Sequence, residues 1–169
     1  GGSRRLYSLI TLMWLPSTLC YIEDDGQYLM LHRNKKEKDI HEGYWTGVGG
    51  KSLAGESPHD CVKREVLEET GLVLANPKLR GVLTFPGFSD TQDWLVFLYT
   101  ATEFSGELIS ECPEGELAWV PIANLDDLSI RKGDKVFLSW LKEYAFFTAR
   151  FDYQGQKMLS YQLQEAVKA

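Results

Sequence analysis

Three glutamates, Glu65, Glu68 and Glu69, stand at i, i+3 and i+4 of one segment. On a helix they fall on a single arc roughly 100° wide. Like charges at that spacing cost a few tenths of a kcal/mol per pair, on the order of 0.2–0.5. Glu68 and Glu69 also sit in the last turn, where the helix dipole disfavours anions. Selection for stability alone does not favour this cluster, whereas a bound divalent cation reverses the sum. Carboxylate oxygens are hard donors, which points to Mg²⁺, with Mn²⁺ as a substitute, rather than zinc. The bland alternative is a solvated acidic helix face. Several neighbours weigh against it. Val62 and Val66 lie beside the acidic arc and let the helix pack while the acids stay at its edge. Arg64 precedes Glu68 by four and can pair with it or with Glu56, fixing their rotamers. Gly49-Gly50 allows close backbone approach, so a main-chain carbonyl can point at a metal.

The helix that carries these acids is well punctuated. Ser57 can cap it, Pro58 suits its first position, and Asp60 follows Ser57 by three as in a capping box. Gly71 supplies a left-handed stop and Leu72 the apolar contact that accompanies one. The spacing therefore predicts a helix over 58–70. Apolar runs 18–22 and 28–32 flank an Asp25-Gly26 turn and read as a hairpin. Residues 33–42 are polar and lysine-rich, a surface loop in which Arg33 and its neighbours attract phosphate or are simply solvated. A short strand over 43–50 contains Trp45. Strands follow over 79–85, 94–102 (buried) and 117–120, with an acidic loop over 111–116 and a helical turn over 122–128. A second amphipathic helix spans 134–144, and a closing hairpin pairs 146–153 with 157–164. The fold class is α+β: one domain, a mixed sheet with a helix on each side.

Composition narrows the function classes. The chain has 169 residues, enough for one self-sufficient core. Its formal net charge of −6 disfavours a nucleic-acid polymer as partner. Cys20, Cys61 and Cys112 are odd in number and form no CxxC, which argues for a reducing, cytoplasmic setting and against disulfides or zinc. Gly1-Gly2-Ser3 reads as a tag remnant, and residues 1–16 as an N-terminal extension before a domain over 17–169. Arg4-Arg5 with the apolar run 6–15 is too short for a membrane span and lacks a cleavage site, so no membrane association is expected.

The segment from Gly50 to Leu72 resembles the signature of the Nudix (MutT-like) hydrolases, G-x5-E-x7-R-E-U-x-E-E-x-G-U with U aliphatic. Gly50, Glu56, Arg64, Glu65, Val66, Glu68, Glu69, Gly71 and Leu72 meet every fixed position. The resemblance implies an α/β/α sandwich with the box as loop–helix–loop, and hydrolysis of a nucleoside diphosphate linked to another group. It implies Glu65, Glu68, Glu69 and the Gly49 carbonyl as metal ligands, with a further carboxylate from a distant loop, for which Glu114 is favoured over Glu111 and Glu116. Glu68 or Glu69 would also be the general base. Arg64 would hold the glutamates and Glu56 would stand behind it; Lys51, Gly50 and Arg33 would meet phosphate oxygens. The flanks, Gly43 to Lys51, Trp119 and the closing hairpin, resemble the branch that hydrolyses oxidised purine nucleoside triphosphates such as 8-oxo-dGTP to the monophosphate and pyrophosphate, a sanitising role in DNA repair. By that resemblance Thr46, Trp119 and Asp134 would contact the base. Thr46 stands where an Asn is usual, and Asp134 is alone where a pair of aspartates is usual. Phe88, Trp94 and Trp119 could stack on a purine, although Trp94 and Trp140 read more simply as core. The alternatives are a nucleotide sugar, a dinucleoside polyphosphate, a prenyl diphosphate in the related isomerases, or a non-catalytic nucleotide sensor. The protein is expected to be a monomer or homodimer.

Overall fold

The computed structural model describes residues 13–34 and 43–169. The expectations for the tag remnant, for most of the N-terminal extension and for the lysine-rich loop after Asn34 lie outside the described residues. The elements in chain order are β1 (Trp14–Asp24), β2 (Gln27–His32), β3 (Trp45–Thr46), α1 (Pro58–Thr70), β4 (Leu72–Ala75), β5 (Lys78–Phe85), β6 (Asp93–Ala101), β7 (Glu103–Gly106), β8 (Glu116–Pro121), a 3-10 turn (Ile122–Asp127), α2 (Lys132–Glu143), β9 (Tyr144–Gln154) and β10 (Lys157–Lys168).

The main sheet runs β10-β9-β5-β6-β1-β2-β3, with β8 also pairing with β2. It is mixed: β1 lies parallel to β6 and β5 parallel to β9, while β5–β6, β9–β10 and β2–β8 are antiparallel. Alternation along β1 sorts the core into two layers, because successive side chains point to opposite faces. Cys20 and Ile22 pack with Val62 and Val66 of α1, whereas Tyr21 packs with Phe137, Leu138 and Leu141 of α2. The two helices therefore cover opposite faces, as the α/β/α layering requires. The Asp25-Gly26 turn forms as expected, both residues having positive φ (50° and 73°).

The structure departs from the expectations at three places. First, β1 begins at Trp14, inside the segment read as an extension, because Trp14, Leu15 and Pro16 pair with Asp93, Trp94 and Leu95. Second, the short strand expected over 43–50 shrinks to Trp45–Thr46, continued by isolated bridges from Cys20 to Val48 and from Ser17 to Lys51. These bridges lay the glycine pair across β1. Third, a two-stranded sheet, β4 with β7, was not foreseen. Each strand has four residues, and only their pairing, between segments some 30 residues apart, makes them strands.

Candidate active site

Helix α1 is fixed at both ends before its acids do anything. Ser57 Oγ accepts the Asp60 N–H at 3.1 Å, and Gly71 closes the helix with φ 81°. Cys61, Val62 and Val66 are buried beneath it. That packing turns Glu65 and Glu69 towards the glycine pair and leaves Glu68 half-exposed at the rim.

Arg64 is the hub of the acidic face. Its Nε donates to Glu56 Oε2, and its Nη2 donates to Glu56 Oε1 at 3.0 Å and to the Lys51 carbonyl at 3.1 Å. Its Nη1 donates to Glu65 Oε1 at 2.9 Å and to Glu68 Oε2 at 3.1 Å. Both partners foreseen for Arg64 are thus engaged at once, and Glu65 is a third. Glu56 is also anchored by the Leu53 N–H at 2.8 Å. The Arg64 guanidinium and that N–H hold the Glu56 carboxyl down at about 2.

Glu69 sits in the opposite electrostatic condition. It is only 8 % exposed, and burial pushes its carboxyl up to about 8, with Glu65 and Glu114 adding repulsion. Arg33 and the Gly49 N–H, which donates to Glu69 Oε2 at 3.1 Å, pull the other way. Burial likewise raises Glu65, against the pull of Arg64. The glycine pair is an obligatory part of this arrangement. A Cβ on Gly49 would lie 2.0 Å from the Thr18 carbonyl oxygen, and one on Gly50 would lie 2.6–2.8 Å from the Glu65 carboxyl group.

These groups open into a cavity of about 470 Å³. One part of its wall is charged and carries Glu65, Glu69, Glu114, Arg33, Lys51 and the glycine pair. Another is aromatic, with Phe85, Phe88, Trp94 and Phe137, and includes Arg131 and Asp134. Arg33 bridges the charged part: its Nη1 lies 3.5 Å from Glu114 Oε2 and its Nε donates to Thr46 Oγ1 at 3.4 Å. Thr46 also lines the cavity. Asp134 is buried, which raises its carboxyl to about 7 although Arg131 opposes the rise.

Of the residues singled out from sequence, the structure brings Arg33, Thr46, Gly49, Gly50, Lys51, Glu65, Glu69, Glu114 and Asp134 into the cavity wall, with Arg64, Glu56 and Glu68 beside it. Trp119 is a correction. It packs against the cluster beneath α1 and stacks on Phe104 at 5.9 Å, so it is not part of the wall. Trp94, read more simply as core, does line the cavity, edge-on to Phe88 at 5.3 Å. Phe85, Phe137 and Arg131 were missed. The first two were indistinguishable from core residues, and Arg131 follows no motif.

Among the described residues, no three acidic, histidine or cysteine side chains converge on one point. The donors nonetheless suit a hard dication. Two carboxylates, Glu65 and Glu69, both raised by burial and by neighbouring acids, face one space, and Mg²⁺ is commonly held by one or two carboxylates, waters and substrate phosphates rather than a closed cage. No helix among the described residues is long and apolar enough to cross a membrane.

Comparison with known proteins gives a consistent result. The NUDIX domain profile matches residues 13–141. The chain is 33 % identical to the Nudix hydrolase YvcI of Bacillus subtilis over 151 residues, covering 86 % of this chain and 92 % of the relative. It is 25 % identical to an oxidized purine nucleoside triphosphate hydrolase of Danio rerio over 142 residues, covering 84 % and 88 %. The fold superposes on the crystal structure of a MutT protein from Bacillus halodurans with a TM-score of 0.79, at 32 % identity, over 89 % of this chain and 97 % of that one.

Proposed function

The chain belongs to the Nudix family, whose hydrolases cleave phosphoric anhydride bonds, and from that premise we propose that it hydrolyses a purine nucleoside triphosphate, 8-oxo-dGTP or a related purine nucleotide, to the monophosphate and pyrophosphate with Mg²⁺. The observation that carries this reading is the cavity itself: its acidic wall and its aromatic wall are continuous, so one ligand with a polyphosphate and a flat ring can occupy both. The named activity of the Danio rerio relative supports the same substrate class.

Glu65 and Glu69 with the Gly49 carbonyl would hold the metal, and Glu68 and Glu114 would supply the carboxylates around it. When bound there, a divalent cation supplies charge neutralisation for the phosphate chain and activation of the attacking water. The rest falls to the protein. Arg64 ties Glu56, Glu65 and Glu68 into one rigid unit, so the carboxylates need not reorganise when substrate arrives. Arg33 and Lys51 offer cationic donors to phosphate oxygens. The water's proton passes to Glu68 or Glu69, the first at the rim and the second inside the cavity. Phe85, Phe88 and Trp94 exclude water around the base.

The test is nucleoside monophosphate release from 8-oxo-dGTP, dGTP, a nucleotide sugar and a dinucleoside polyphosphate, each with and without Mg²⁺, with pyrophosphate as the second product from the triphosphates. Release from the purine triphosphates, dependent on Mg²⁺, is the expected result. Turnover confined to the nucleotide sugar or the dinucleoside polyphosphate would replace the substrate assignment, and nucleotide binding without any turnover would favour a sensor.

A further inference from the structure

Two arginines act on one group of acids, one from outside the cavity and one from inside it. Arg64 is the outer one. It donates to both oxygens of Glu56 and to the Lys51 carbonyl, and it stands beside the cavity wall rather than in it. Arg33 is the inner one. Its backbone is fixed directly after β2: the Arg33 N–H donates to the Tyr44 carbonyl at 3.1 Å, and its carbonyl accepts the Gly43 N–H at 2.8 Å. Its side chain lines the cavity with Glu65, Glu69 and Glu114. Its Nη1 lies 3.5 Å from Glu114 Oε2, its Nε donates to Thr46 Oγ1 at 3.4 Å, and its charge acts on Glu69.

Glu114 reaches Arg33 through a tight turn. The Gly115 N–H donates to the Cys112 carbonyl at 3.3 Å, and a Cβ on Gly115 would lie 1.8 Å from the His32 carbonyl oxygen. The acidic loop is therefore seated on the residue just before Arg33, and the two side chains are brought together by backbone contacts that a side-chain movement leaves intact.

Inside and outside have opposite electrostatic consequences. A guanidinium behind the acids holds their rotamers and leaves the cavity free for a second cation. A guanidinium within the cavity takes carboxylate lone pairs that a dication also needs, and it repels that dication at short range, where salt screens little. A carboxylate only accepts and a guanidinium only donates, so Arg33 and a metal ion are rivals for Glu114 and Glu69, whereas Arg33 and a phosphate are partners.

We propose that Arg33 is a built-in counter-ion of the acidic wall, a positioning residue that competes with the divalent cation for Glu69 and Glu114 and is released by it towards the phosphate chain. This rests on the metal-site reading above and adds a sign: Arg64 supports cation binding and Arg33 opposes it. Arg33 neutralises the acids until the dication replaces it, and the released guanidinium then meets phosphate oxygens. Cation and polyphosphate therefore favour each other's binding in part through Arg33, and the coupling is reciprocal.

The experiment titrates Mg²⁺ into the full chain without nucleotide, by calorimetry. It is run at pH 9, above the value of about 8 at Glu69, so that a proton there does not take the place of the missing charge. The proteins are the wild-type chain, Arg33→Met and Arg33→Gln, which remove the charge, Arg33→Lys, which keeps it, and Arg64→Ala. The two neutral variants should bind Mg²⁺ about threefold or more tightly than wild type, the scale of releasing one partly exposed charge pair. Arg33→Lys should stay close to wild type, and Arg64→Ala should bind more weakly. With saturating Mg²⁺, the same neutral variants should show a raised KM for dGTP, so that one substitution tightens the metal and loosens the substrate. Unchanged or weakened Mg²⁺ affinity in both neutral variants would overturn the proposal and make Arg33 an orienting partner like Arg64, while Mg²⁺-dependent turnover by the wild-type chain would leave the hydrolase reading intact. Tighter Mg²⁺ with an unchanged KM would overturn the release towards phosphate. If no nucleotide is turned over but the neutral variants still bind Mg²⁺ more tightly, the hydrolase reading fails and the counter-ion role stands.

Discussion

At the scale of single residues, the site separates carboxylates by environment. Glu69 is buried and driven towards its protonated form, Glu56 is locked as an anion, and Glu68 is half in water. Glu69→Gln should therefore lower kcat by several orders of magnitude. It should also raise the melting temperature of the metal-free protein slightly above pH 8, because a buried charge and its repulsion disappear. Glu68→Gln, run beside it, locates the general base: the base is the glutamate whose loss lowers kcat while Mg²⁺ affinity, read by titration, is largely kept. Arg64→Ala should cost less activity than Glu69→Gln, yet it should weaken Mg²⁺ binding by roughly 10- to 100-fold, since three carboxylates lose their common anchor. Equal kcat losses in the two variants would argue against a purely orienting role. Most of these residues were legible in the sequence, since types and spacing within one helix turn and its flanking loops are local information. Trp119 and Arg131 show where that ends. Whether a tryptophan faces a cavity or a core depends on which face of β8 is covered, and that is settled by Phe104 on a strand the sequence did not disclose.

At the scale of elements, two junctions set the active geometry. The first is the glycine pair against β1 and α1. Gly50→Ala would put a methyl against the movable end of the Glu65 side chain, so the fold should survive while metal affinity falls. Gly49→Ala would meet the backbone of Thr18 at 2.0 Å and should instead lower stability. Melting curves and Mg²⁺ titrations of the two variants should thus report opposite defects. The second junction is the turn from α2 into β9. Arg80 Nε donates to the Ala145 carbonyl at 2.9 Å, and its Nη2 to the Leu141 and Tyr144 carbonyls at 2.8 Å each. Those of Leu141 and Tyr144 are among the carbonyls that the helix end leaves unpaired, and that of Ala145 lies at the start of β9. Arg80→Met should destabilise by about 2–4 kcal/mol, by leaving part-buried carbonyls unsatisfied. It should also raise KM, because α2 carries Arg131 and Asp134. Helix α1 was readable from its caps because capping is local. The long strands were readable from apolar runs, but their order was not: β1 beside β6 is a pairing of segments about 80 residues apart, which no window of sequence contains.

At the scale of the whole molecule, the buried acids make stability depend on pH in a direction opposite to most proteins. Asp134 and Glu69 ordinarily ionise near 3.8 and 4.5, and in the folded chain they do so near 7 and 8. Between those limits the folded state holds protons that the unfolded state has released, so unfolding gains favour as pH rises. Their stabilising contribution is complete below about pH 4 and is lost as pH climbs through 7 and 8. Glu56, held near 2, contributes the other way, and its share is lost only as pH falls towards 2. The metal-free protein should therefore melt progressively lower between pH 5.5 and 8.5. Mg²⁺ should flatten part of that slope, because it binds the ionised form of Glu69 and so rewards deprotonation in the folded state. Asp134→Asn should flatten another part, and this part should persist with or without Mg²⁺, since Asp134 belongs to the aromatic wall and not to the carboxylates of α1. Scanning calorimetry at four pH values, with and without Mg²⁺, on the wild-type chain and this variant resolves the two contributions. A melting temperature that rises steadily to pH 8.5 without metal would mean that neither acid is protonated in the folded state, and the electrostatic case for a resident cation would fail with it.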